Sequence, residues 1–338
     1  MRKTLILTLL AAMFTTQMVE AKRVKQDFSI VEVPEEGGVR FEKITEDADC
    51  VNSTWLVAKS GTLFGMKNTS AIDWWVNPII ALSPDGTKLA YLNWKNKTSN
   101  VMVKPSTKGG ASTQRTFRSM VRDFTWSPDG KTICFTEFRS GHNGIYLVNS
   151  DQGAVVRQIS TGSDNDYAGQ ITADGKHIYF HRGEGSLQYS LWSYDVEKNL
   201  FSNYSRGMTP CLIPGNNDII YCARYTDTKD SEIWRLNLKT GQEDIILSLP
   251  GRSFTTPRLS PDKQWLLVTG TSLAEKGKKI NTDIFVVRTD GTQFTQLTYH
   301  PGNDLSGIWS KDGKSIYFVS QRGSKEGVFN VWKMDFNL

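Results

Sequence analysis

The residues best placed to do chemistry in this 338-residue chain sit between repeated segments. Arg122, Asp123, Asp166, Tyr167 and Asp304 fall on short connections, where they could line a channel mouth and bind a polar ligand or a cation. Trp55, Trp74 and Trp75 fall in a longer connection, where exposed indoles could anchor a partner or stack on a sugar, as aromatic side chains do at interaction hot spots. The plainer readings are that these tryptophans pack an extra hairpin and that the charges are ordinary solvated loops. No nucleophile elbow, H-E-x-x-H, phosphate loop or dinucleotide glycine pattern occurs in the chain. His142, His177, His181 and His300 share no repeat position, so they read as packing or solvated residues rather than metal ligands. No cofactor is expected, although an axial channel could hold a cation, and the reading favours a non-catalytic protein.

Those residues need a frame, and composition narrows it. A chain of 338 residues exceeds what one core usually serves unless the core is repeated or radially arranged. With 38% hydrophobic and 22% charged residues it folds rather than staying disordered, and 11% aromatics, including ten Trp, suit strands. The start reads as an export signal over 1–21: Arg2 and Lys3, the apolar run Leu5 to Phe14, and Val19-Glu20-Ala21 as the cleavage site. The run is short of the roughly 20 residues a spanning helix needs, so no transmembrane anchor is expected after cleavage. The mature net charge of +4 gives no reason to expect nucleic acid. Cys50, Cys134, Cys211 and Cys222 form no C-x-x-C pair; Cys211 and Cys222 could join across one hairpin, the simpler alternative being buried free thiols.

A turn-plus-strand pattern recurs six times: ALSPDGTKLAYL, TWSPDGKTICFT, QITADGKHIYFH, CLIPGNNDIIYC, RLSPDKQWLLVT and IWSKDGKSIYFV. Its anchors are Ser83, Ser127, Thr172, Ile213, Ser260 and Ser310, spaced by 44, 45, 41, 47 and 50 residues. Proline presets φ and glycine supplies the left-handed residue of a hairpin turn, although Lys263 stands where the fifth copy should have glycine. Six residues past each anchor stand Leu89, Ile133, Ile178, Ile219, Leu266 and Ile316, and eight past it Tyr91, Phe135, Phe180, Tyr221, Val268 and Phe318. That period of two gives the second strand one buried face. A third strand follows, as in IYLV from Ile145, and a fourth ends in Ser or Thr at Thr116, Ser160, Ser205, Ser248 and Thr298. Trp126, Trp192, Trp234, Trp309 and Trp332 take repeat-equivalent positions and belong to the core.

Four strands per unit make a propeller blade, and the last unit lacks its fourth. VRFEKIT, from Val39 to Thr45, supplies it, so the expected architecture is an all-β, six-bladed propeller over 39–338, closed by its N-terminal strand, with 22–38 as an extension. The S-P-D-G-K turn followed by alternating Ile and Phe resembles the WD40-like, TolB-type six-bladed propellers of the PD40 repeat. TolB carries a separate α/β domain ahead of its propeller, so the resemblance extends to the propeller alone.

From Thr45 to Ser83 is 38 residues, whereas the other connections counted from fourth strand to anchor run 8 to 12. The excess, within 46–76, is an insertion on the face carrying fourth-to-first connections, and STWLVAKSGTLFGM within it reads as a hairpin turning at Ser60-Gly61. The resemblance implies an exported, periplasmic or secreted monomer that binds an envelope protein, such as a peptidoglycan-associated lipoprotein. The alternative it implies is a carbohydrate-active protein, an oligogalacturonate lyase-like enzyme or glycan binder, using the axial pocket.

Overall fold

A computed structural model describes residues 27–28, 36, 38–46, 51–52, 62–63, 66–67, 78–95, 98–117, 120–153, 155–160, 165–185, 188–228, 230–271, 281–325 and 328–338. Among them no α-helix occurs. The expected signal segment 1–21 lies outside the described residues, as do Cys50, Trp55, Trp74 and Trp75.

Each anchor begins a hairpin, and strands pair antiparallel in chain order around it. The Ser83 unit runs Ile80–Leu82, Lys88–Lys95, Thr98–Pro105 and Thr113–Gln114. The Ser127 unit runs Val121–Trp126, Thr132–Arg139, His142–Asn149 and Val155–Gln158. In the Thr172 unit the strands are Asn165–Ile171, His177–Gly185, Gln188–Asp195 and Leu200–Arg206. In the Ile213 unit they are Met208–Ile213, Asn216–Tyr225, Ser231–Asn237 and Glu243–Leu247. The Ser260 unit comprises Phe254–Leu259, Trp265–Thr271, Thr282–Arg288 and Thr295–Gln296. The Ser310 unit has Asp304–Trp309, Ser315–Ser320 and Val328–Asp335. Phe41–Lys43 adds to the outer edge of Val328–Asp335, Phe41 opposite Met334 and Lys43 opposite Trp332. The first strands touch one another in chain order, and Asp304–Trp309 touches Ile80–Leu82.

The turn works as a small hydrogen-bonded device. Ser127 Oγ donates to Asp129 Oδ1 at 2.6 Å and accepts from the Thr132 amide at 2.9 Å, while Asp129 Oδ1 also accepts from the Lys131 amide at 3.0 Å. The same three bonds recur at Ser83, Thr172, Ser260 and Ser310. Lys263 adopts φ +62° in the glycine place, so the turn is kept at some backbone strain. The Ile213 unit departs, with Pro214-Gly215 closing between Ile213 and its partner Asn216, the residue pair of a type II turn.

The hydroxyl ending each fourth strand also has a reason. Thr116, Ser160 and Thr298 accept the third-strand amides of Val101, Ile145 and Ile284. Ser205 and Ser248 instead donate to Glu243 and Glu232.

Two expectations about packing change. The second strand is buried on both faces, since Ala90, Cys134, Tyr179, Ile220, Leu267 and Tyr317 are buried as well as the alternating set apart from the partly buried Ile219, because a unit packs between two neighbours. Trp309 and Trp332 are buried, whereas Trp126, Trp192 and Trp234 are partly buried. Cys134, Cys211 and Cys222 are free and buried. Cys211 stands opposite Tyr221, which puts Cys222 on the other face of the pleat. Within the insertion, Val51–Asn52 pairs with Val328 and Phe329. Thr62–Leu63 pairs antiparallel with Met66–Lys67, Leu63 opposite Met66, and the turn expected at Ser60-Gly61 lies outside the described residues.

Candidate functional site

Each first strand except the short Ile80–Leu82 carries a register shift three to five residues before its anchor, as between Leu305 and Ile308. At Thr209, Thr256 and Ser306 the bulge takes φ of +49°, +48° and +52°. The strand therefore continues farther toward the fourth-to-first face than the sequence pattern suggests. Arg122 and Asp123 lie on Val121–Trp126, Asp166 and Tyr167 on Asn165–Ile171, and Asp304 opens Asp304–Trp309; none is on a connecting loop. Asp123, Asp166 and Asp304 are fully buried.

Burial forces partners on these groups. Arg182 grips Asp166 with Nε to Oδ1 at 2.7 Å and Nη2 to Oδ2 at 3.1 Å, and its guanidinium lies 4.3 Å from the Trp192 ring centroid. Arg322, buried two residues past the second strand of its unit, donates to Asp304 Oδ2 at 2.6 Å and to both oxygens of Glu36 at 2.9 and 3.1 Å. Burial pushes the Glu36 carboxyl up while Arg322 pulls it down. Asp283, close by, is pushed up to about 9 by burial and by the charges of Asp304 and Glu36, against Arg252 and Arg322. Asp123 Oδ1 accepts from Thr136 Oγ1 at 2.7 Å. Arg122 sits 4.9 Å over the Phe138 ring, its pKa lowered by burial although Tyr167 and Asp123 lie near enough to raise it.

Arg122, Asp123 and Tyr167 thus form one neighbourhood, and Asp304 belongs to another. Tyr167 accepts from Asn143 Nδ2 at 2.7 Å and stacks on His181 at 5.3 Å. His181 is buried, its pKa pushed down to about 3, and Nδ1 accepts from the Thr209 amide at 3.2 Å, which leaves a neutral imidazole with its proton on Nε2. His300 is buried too, Nδ1 accepting from the Gly302 amide at 3.0 Å. Among the described residues no group of three or more His, Cys, Asp or Glu could hold a metal ion. Sequence reasoning missed Glu36, Asp283 and Arg322; the readable signal was an Arg ten to twelve residues past the anchor in the Thr172 and Ser310 units, at Arg182 and Arg322.

Antiparallel units with first strands touching in sequence define a β-propeller, an all-β fold. Residues 68–188 and 197–337 match the TolB beta propeller domain, PD40, and the chain belongs to that family. It is 26% identical over 171 residues to the Tol-Pal system protein TolB of Helicobacter pylori strain J99, a match covering 49% of this chain and 39% of that protein. TolB from Acinetobacter baumannii superposes with a TM-score of 0.56 at 20% identity, covering 68% of this chain and 55% of that one. An oligogalacturonate lyase from Vibrio parahaemolyticus superposes at 0.59 and 10% identity over 91% and 96% of the two chains. Identities this low speak for the fold alone. No helix among the described residues is long and apolar enough to cross a membrane.

Proposed function

We propose that this chain is an exported propeller of six four-stranded blades, closed by Phe41–Lys43, that binds another protein of the cell envelope through its fourth-to-first face. The family match across both halves of the chain carries this reading. The relative that assembles in the Tol-Pal system supports an envelope partner, of which a peptidoglycan-associated lipoprotein is the first candidate. The chemistry of the face supports recognition rather than turnover. Asp166 is held by Arg182, and Asp304 and Glu36 by Arg322, pairs that stiffen the frame. In this reading the insertion contributes Trp55, Trp74 and Trp75 as anchors.

In-cell crosslinking of the tagged chain followed by mass spectrometry tests it, with Trp74→Ala and Trp75→Ala as the comparison. A reproducible envelope partner, lost in the double variant, is expected. A chain that captures no envelope protein and degrades oligogalacturonate would instead favour the carbohydrate-active reading.

A further inference from the structure

We infer that this chain forms a two-fold dimer by pairing the open edge of its strand Leu200–Arg206 with the same strand of a second copy. A fourth strand presents an outer edge, and such edges are kept short, charged or kinked because their unpaired N–H and C=O groups template pairing with another chain. Thr113–Gln114 and Thr295–Gln296 are two residues long, and Phe41–Lys43 carries Glu42 and Lys43. Val155–Gln158 carries Arg157, and Glu243–Leu247 carries Glu243 and Asp244. Leu200–Arg206 is the longest of the six at seven residues and reads Leu-Phe-Ser-Asn-Tyr-Ser before its one charge. It ends its sheet, paired on one side alone.

The strand is firmly seated yet open. Phe201 packs with its ring centroid 4.9 Å from that of Tyr194 and edge-on to Phe180 at 6.2 Å, and Tyr204 lies 5.8 Å from Tyr179 with its hydroxyl 3.0 Å from Ser193 Oγ. Even so, Leu200, Phe201 and Tyr204 are 59%, 41% and 37% exposed, three of the eight large hydrophobic side chains exposed among the described residues. Ser202 and Asn203 between them are exposed too. Leu200 to Asn203 pairs residue for residue with Asp195 to Trp192, the register shifting only beyond Asn203, so the outer edge of this stretch is regular. Its complement is itself. Antiparallel pairing about the Phe201–Ser202 step sets Leu200 against Asn203 with no like charges opposite one another. It also brings Arg206 level with Glu197, in the turn before the other copy's strand, twice by symmetry. Arg206 is exposed and makes no ion pair among the described residues, while Glu197 is 66% exposed with Lys176 Nζ 3.5 Å away. The dimer departs from the monomer that the family resemblance implies. It uses the rim of the propeller rather than the fourth-to-first face, so it is independent of the partner proposed above.

The test is sedimentation equilibrium of the purified chain over a wide range of concentration. A mass that rises with concentration from one chain to two is expected. Ser202→Lys and Ser202→Glu each set like charges across the two-fold axis and should weaken the dimer roughly tenfold or more, while an equal mixture of the two variants should recover it. Ser202 is exposed, so both variants should keep the cooperative melting of the native chain, and Asn203→Lys with Asn203→Glu repeats the comparison should they fail to fold. A native chain of single mass at every concentration, a folded Ser202→Lys that dimerises as the native chain does, or a mixture no stronger than either variant alone would overturn the proposal.

Discussion

The hydroxyl of Thr45 accepts the amide hydrogen of Val331 at 2.9 Å and donates to Asn330 Oδ1 at 2.9 Å, joining residues more than 280 positions apart. Thr116 makes the same two contacts within a continuous unit, with the Val101 amide at 2.9 Å and Asn100 Oδ1 at 3.1 Å. Thr45 therefore stands where a fourth-strand hydroxyl stands. Lys104 Nζ adds a buried bond to Ile44 O at 3.1 Å, tying the same segment to the Ser83 unit. Replacing Thr45 with Val keeps the shape and removes the acceptor, which should cost about 1–2 kcal/mol in urea unfolding, while Thr45→Ser keeps most of it. Equal stability of Thr45→Val and the native chain would contradict this role.

Acid should loosen the turns. Asp85, Asp129, Asp174, Asp262 and Asp312 all sit below the usual carboxylate range because a Ser or Thr hydroxyl and a backbone amide donate to each, and Asp85 is lowered to about 2. A folded pKa below the unfolded one, about 3.9, means stability present above that pH and lost as pH falls through the folded value. Urea midpoints should therefore drop between about pH 4 and 2, and the drop should shrink in Ser127→Ala, which removes one of the donors holding Asp129 down.

Asp283 has the opposite sign. Its folded pKa is about 9, so between the unfolded value and that pH the native state holds a proton the unfolded chain does not, and stability falls as pH rises across the window. Asp283→Asn mimics the protonated form. Its melting temperature should exceed that of the native chain at pH 8.5, by on the order of 2 °C or more, with the gap closing toward pH 5. A gap that is the same at both values would exclude the charge as its cause.

Arg322 joins Glu36 to Asp304 with all three side chains essentially out of solvent. Arg322→Met leaves two carboxylates buried without their cation and should destabilise by about 3–5 kcal/mol in chemical unfolding. Adding Glu36→Gln and Asp304→Asn to it should recover part of the loss; no recovery would mean that Arg322 acts through packing on Phe41, whose ring centroid is 4.2 Å away.

The fold was legible because its signals are local. The Ser–Asp–Gly turn is complete within six residues, and the terminal hydroxyl of the fourth strand is visible at Thr116 without knowing that Val101 lies beside it. The site was legible only as a set of residue types. Asp123, Asp166 and Asp304 read as loop residues because a bulge such as that between Leu305 and Ile308 breaks the alternation just where the strand continues. Glu36 could not be placed because its partner Arg322 lies 286 residues away and nothing local marks either as half of a pair.

Binding to an envelope partner is the central claim, and its most direct measurement is titration calorimetry of the purified chain against the peptidoglycan-associated lipoprotein of the same organism, lacking its lipid. The account predicts saturable one-to-one binding, weakened in the Trp74→Ala, Trp75→Ala double variant. No heat of binding across the accessible range, from a chain shown to be folded by its cooperative melting, would contradict it.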